Sequence, residues 1–117
     1  MLAAGGVRFR ELLAGYDVVL TPTTAAPPLP TSELRADDAQ GSLDAMGRWS
    51  AFTPAANIAG TPAVSLPVHA TAAGVPIGVQ LLEQPNCDEL LMSLAAQLEP
   101  VFSWQDRHPA FWTSSGV

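Results

Sequence analysis

Near the amino terminus the apolar residues Phe9, Leu12, Leu13 and Tyr16 fall at helical spacing, and Gly15 stands where a left-handed residue can close a helix. A short amphipathic first helix is expected there. Asp17 then opens the run Val18, Val19, Leu20, Thr21, which is apolar or β-branched at consecutive positions and stops at Pro22. A run without polar alternation predicts a strand buried on both faces. Residues 22–41 carry Pro27, Pro28, Pro30 and the acidic pair Asp37 and Asp38 with little apolar period, and read as a long surface loop. Ser42 is placed to cap a helix bearing Leu43, Met46, Trp49 and Phe52, its hydroxyl accepting from an otherwise free backbone amide, although Gly47 weakens that helix.

Further along the pattern changes period. Residues 63–68 alternate Val64, Leu66 and Val68 against Ala63, Ser65 and Pro67, and residues 75–82 repeat this with Val75, Ile77, Val79 and Leu81. Alternation of this kind predicts two paired strands. A turn centred between Thr71 and Ala72 would set Pro67 against Pro76 and Ser65 against Gly78, with both prolines near strand ends where a missing donor is tolerated. The second face would carry small residues and admit another backbone closely. Asn86 as an amide cap, Asp88 and Glu89 in the first turn, and Leu91, Leu94, Ala95, Leu98 and Phe102 at spacings of three and four then predict a helix that Pro100 ends. In the tail, Trp104, Phe111 and Trp112 are expected to anchor an irregular segment on something apolar.

Three strands and three to four helices place the chain in the α/β class. A strand like the one around Val19 needs helices on both sheet faces, and these elements do not supply them. With 117 residues and 48% hydrophobic content, there is material for a single core and no linker or repeat that divides it.

Charge narrows the function. The net charge is −6, from 11 acidic and 5 basic residues without a basic block, so no direct nucleic-acid contact is expected. All the basic residues are arginines (Arg8, Arg10, Arg35, Arg48, Arg107), so any chemistry that needs a lysine amine must find it outside this chain. Cys87 is the sole cysteine, which excludes an internal disulfide and suits a reducing cytoplasm. Neither an export signal nor an apolar stretch of about eighteen residues is seen, so no membrane partner is expected.

Candidate chemistry is sparse. A nucleophilic serine needs a base in reach and donors for the oxyanion, yet no serine here lies in an elbow or a glycine-serine-rich loop. Ser65 reads as a small packing residue on a strand. Cys87, at the start of a helix, has no motif around it, and His69 and His108 lack ligand spacing, so neither a metal nor a cofactor is expected. The acidic residues are scattered as caps and solvated faces usually are. No catalytic residue is assigned within this chain.

Three segments together carry more information: Tyr16-Asp17-Val18-Val19-Leu20-Thr21-Pro22-Thr23; Phe52-Thr53-Pro54-Ala55-Ala56-Asn57-Ile58-Ala59-Gly60-Thr61-Pro62-Ala63-Val64-Ser65-Leu66-Pro67; and Gly74-Val75-Pro76-Ile77-Gly78-Val79-Gln80-Leu81. In this order and spacing they resemble the carboxy-terminal third of the amidase-signature family. Two positions differ from its common pattern, Glu83 where glycine is usual and Thr61 where leucine is frequent.

The resemblance implies an α/β/α sandwich with a mixed central sheet, of which residues 1–117 would form an incomplete carboxy-terminal portion. It also implies hydrolysis of a small-molecule carboxylic amide through an acyl-enzyme, using a serine nucleophile, a bridging serine and a lysine base. None of those positions is matched here, so they would lie upstream, and the remainder of the amidase domain becomes the first partner. Gly60, Pro62, Pro67 and Gly78 then shape backbone, and residues 49–57 (Trp49, Phe52, Thr53 and Asn57 above all) are candidates for a wall of the acyl pocket. An amidase-like subunit of a tRNA-dependent amidotransferase shares these motifs. A different class of reading is a truncated, non-catalytic protein that binds a partner or forms a homo-oligomer through uncovered strand edges.

Overall fold

The computed structural model describes residues 2–28, 30–33, 38–108 and 112, with the side chains of residues 2, 3 and 33 excluded. Helix α1 (Leu2–Leu13) leads into strand β1 (Val19–Pro22), and after a loop with one 3-10 turn (Thr31–Glu33) come α2 (Ala39–Trp49) and α3 (Thr53–Ala59). Strands β2 (Ala63–Ala70) and β3 (Pro76–Leu82) form a hairpin, followed by α4 (Asp88–Phe102) and a 3-10 turn, Trp104–Asp106. The α/β class holds. The sheet order is β1-β3-β2, with β3 antiparallel to both neighbours.

Local chemistry explains most departures from the sequence expectations. Helix α1 starts well before Phe9, since the small residues ahead of it extend the helix without disturbing its apolar face. It ends at Leu13, not at a left-handed Gly15, and Tyr16 is exposed rather than part of the buried stripe. Asp38 caps α2 in place of Ser42: its Oδ1 accepts from the Gly41 amide at 2.9 Å, and Ser42 lies inside the first turn. The helix expected to run through Phe52 is interrupted, because Pro54 has no amide to donate backward and suits the first turn of a new helix. Gly60, at φ 65°, then closes α3. Asn86 adopts a positive φ of 67° and is not the cap of α4; Cys87 takes that position without a side-chain bond. Pro100 removes one backbone donor from the last turns of α4 without stopping the helix, which continues to Phe102.

The hairpin register also differs. The Thr71 amide donates to the Val75 carbonyl at 2.9 Å and the Gly74 amide to the Thr71 carbonyl at 2.8 Å, so the turn is built around Gly74, whose φ is 80°. The turn therefore lies later than expected. Ala70 faces Pro76, and after an irregularity between Leu66 and His69 the pairs are Leu66 with Val79, Ser65 with Gln80 and Ala63 with Leu82. Pro67 falls in the irregular stretch and Pro76 opens β3, both places where no ladder amide is required.

Helix α4 packs on the hairpin and buries Leu66, Leu81 and Leu91, with Val64, Val68, Val79, Leu94, Leu98 and Trp104 around them. A second cluster, Leu13, Ala56 and Leu82 with Phe9 and Val19, forms where α1 packs on α3 over the opposite sheet face. Strand β1 is not buried on both faces in this chain: Leu20, opposite Leu81, is 63% exposed, because β1 is an edge strand that α4 does not cover. Trp112 is exposed and stacks on His108 at 4.6 Å, so it does not anchor the tail, whereas Trp104 does reach the core; Phe111 lies outside the described residues. The accessible surface is 8340 Å², against about 6,000 Å² for a compact protein of this mass. No helix among the described residues is long and apolar enough to cross a membrane.

Candidate substrate-binding groove

The sheet face opposite α4 changes character along its length. In β1–β3 register it begins with Val19 and Leu82 under the helices, continues with Thr21 and Gln80, and ends where the Thr23 amide donates to the Gly78 carbonyl at 3.1 Å. Side chains alternate across a strand, so Thr21, Thr23, Ser65, Gly78 and Gln80 share this face. Gln80 is nearly fully buried, and its Nε2 donates to Thr21 Oγ1 at 3.3 Å. Thr23 Oγ1 and Ser65 Oγ lie 2.6 Å apart and share a hydrogen bond. Gly78 makes room for that pair: a Cβ there would lie 2.8 Å from each hydroxyl oxygen.

Above these hydroxyls stands Trp49, at the end of α2. Its indole N–H donates to the carbonyls of Ala26 (2.9 Å) and Pro27 (3.1 Å), while its own carbonyl accepts from the Ala25 amide at 2.8 Å. The ring is thereby held against the chain that leaves β1. Between Trp49 and the sheet lies an open groove of about 390 Å³, lined by Thr23, Thr24 and Ser65 on the polar side and by Pro28, Pro67 and Pro76 on the apolar side. None of its described lining residues is charged.

The four pocket-wall candidates are not brought together. Trp49 lines the groove. Phe52 and Thr53 are half-buried at the junction of α2 and α3, where Thr53 Oγ1 donates to the Ser50 carbonyl at 3.4 Å. Asn57 is exposed on α3. Thr23, Ser65 and Gly78 were not among the candidates. The signal that could have found them is the alternation of Thr21 and Thr23 in one segment and Ser65 in another, which puts hydroxyls on a common face once both segments pair with the strand between them.

Other groups do not form a reactive set. The side-chain partner of Ser65 is a second hydroxyl rather than a base. Among the described residues no group of three or more His, Cys, Asp or Glu side chains could hold a metal ion. A second cavity of about 390 Å³ lies at the hairpin end beside Trp104, Arg107 and His108, where Arg107 donates to the carbonyls of Pro67 (3.2 Å) and Phe102 (2.8 Å). The two positions that depart from the common family pattern, Thr61 and Glu83, contribute buried side-chain oxygens without a hydrogen-bond partner among the described residues, Thr61 Oγ1 and Glu83 Oε2.

The Amidase family model matches residues 6–92. The chain is 42% identical over 116 residues to AmiA2 of Mycobacterium tuberculosis, named as an amidase candidate, a match that takes in 97% of this chain but 23% of that protein. It is 36% identical over 103 residues to the 6-aminohexanoate-cyclic-dimer hydrolase of Pseudomonas sp. strain NK87, covering 82% of this chain and 21% of the relative. A solved structure of 6-aminohexanoate cyclic dimer hydrolase superposes with a TM-score of 0.74 at 33% identity, over 91% of this chain and 23% of that one. A glutamyl-tRNA(Gln) amidotransferase subunit from Thermotoga maritima superposes with a TM-score of 0.64 at 30% identity, over 80% of this chain and 19% of that one.

Proposed function

Because the chain belongs to the amidase family, we propose that residues 1–117 are an incomplete, carboxy-terminal portion of an amidase domain, in a longer protein that hydrolyses a carboxylic amide to an acid and ammonia or an amine. The carrying observation is the disproportion of the match: the family model covers residues 6–92, while the chain spans 21–23% of its amidase and hydrolase relatives. The lysine base and paired serines implied by the family resemblance then belong to the remainder of the domain. A serine there attacks the amide carbonyl, the amine leaves with a proton, and water releases the acid from the acyl-enzyme. This chain contributes three strands of a mixed sheet and, through residues 49–57, part of the acyl-pocket wall.

The uncovered apolar surface supports this reading. Leu12, Leu20, Leu43, Met92 and Val101 are large, exposed and spread over α1, β1, α2 and α4, which is the distribution expected where further layers of one domain are to pack. The partners are a small-molecule amide and the rest of the domain, with no direct contact to nucleic acid or membrane and with homo-oligomer formation through strand edges as the alternative. The lone Cys87 fits a reducing cytoplasm. The likeness to a glutamyl-tRNA(Gln) amidotransferase component favours one rival, a protein that works beside partners that hold tRNA.

The test is to express the longer protein and measure acid and ammonia release from a panel of amides. Turnover by the purified protein alone supports a simple amidase. Activity only with copurifying subunits and an ammonia acceptor would favour the amidotransferase, and no amide chemistry in either form would reject both. Within the panel, Phe52→Ala should shift relative kcat/KM between amides; unchanged ratios would remove residues 49–57 from the pocket wall.

A further inference from the structure

We infer that the groove over Thr23 and Ser65 is a specificity site for the amide substrate, holding a neutral, largely apolar substituent and giving one hydrogen bond to a carbonyl-type acceptor on it. This rests on the amidase reading and adds the chemical class of substrate. Two hydroxyls 2.6 Å apart share one bond, so one O–H of the pair is committed and the other remains available to an acceptor in the groove. Trp49 offers no donor, since its N–H is already spent on the Ala26 and Pro27 carbonyls, and it presents carbon surface. Pro67 and Pro76 add apolar wall without an amide hydrogen.

Charge then selects against ions. With no charged side chain among the described lining residues, this chain gives a carboxylate or ammonium substituent no counter-ion for the hydration it surrenders. A neutral aliphatic arm loses nothing of that kind. The groove's volume of about 390 Å³ lies within the usual range for small-molecule sites. Gly78 sets the depth of the floor, because a Cβ there would crowd both hydroxyl oxygens.

The experiment uses the longer amidase with acetamide, hexanamide, and the keto and carboxylate analogues of hexanamide. For the wild type, kcat/KM should favour hexanamide over its carboxylate analogue by about tenfold or more, and the keto analogue over hexanamide by several-fold. Gly78→Ala should lower the hexanamide-to-acetamide ratio by about tenfold. Thr23→Val combined with Ser65→Ala removes both hydroxyls and should abolish the preference for the keto analogue, whereas Thr23→Ser, which keeps the donor pair, should retain it; a merely structural role for these side chains would not separate the two. Melting temperatures of each variant separate unfolding from altered selectivity, and, should no amide be turned over, calorimetric titration of hexanamide reads its binding. Ratios unmoved in folded Gly78→Ala and in the folded double variant would overturn the inference while leaving the amidase reading intact. A wild type that turns over no amide would sink that reading, and hexanamide affinity equal in wild type and Gly78→Ala would then overturn the groove assignment as well.

Discussion

The two faces of the three-stranded sheet are made from the same alternating strands yet are built for different tasks. Toward α4 the strands present Val64, Leu66, Val79 and Leu81, long aliphatic side chains sealed by Leu91, Leu94 and Leu98. On the other face the same strands place Thr21, Thr23, Ser65 and Gly78, small and hydroxyl-bearing, under a helix end that leaves a groove open. Stability is concentrated on the first face and recognition on the second, since aliphatic burial is non-directional whereas an oriented hydroxyl specifies its partner.

That contrast can be broken by substitution. The largest effect is expected for Leu81→Ala on the α4 face, where Leu81 is 2% exposed: urea unfolding of the longer protein should show a loss of about 2–5 kcal/mol. Next comes Leu20→Ser. Although Leu20 is 63% exposed here, the proposed larger sheet covers it, so the longer protein should lose about 1.5–3 kcal/mol by the same measurement. A loss confined to a few tenths would show that β1 is a true solvent-facing edge. Gly78→Ala, which crowds two hydroxyls, should cost about 1–3 kcal/mol on unfolding as well as altering selectivity. The smallest change in stability is expected for Thr23→Val, about 1 kcal/mol or less, because only one partly exposed hydrogen bond is lost.

Much of the fold was legible where period and burial agree. The alternation of Val64, Leu66 and Val68 and the stripe Leu91, Leu94, Leu98 name the residues that meet between the hairpin and α4. Details failed where several residues compete for one job. Asp38 and Ser42 are both capable caps, and the carboxylate placed three residues before the Gly41 amide prevails. The hairpin register turned on which residue would accept a positive φ, and Gly74 was the local glycine able to do so cheaply. For the groove, Trp49 was visible as an aromatic beside a core strand. Thr23 and Ser65 were not, because their meeting depends on β1 and β2 both pairing with β3, a long-range fact that no local spacing contains.

The division between a supporting chain and catalytic groups elsewhere is tested most directly by assaying the purified 117-residue chain alone for acid and ammonia release across the amide panel. The account predicts no release above the uncatalysed rate, with activity present in the longer protein. Sustained turnover by the isolated chain, lost on Ser65→Ala, would contradict it and move the nucleophile into this sheet.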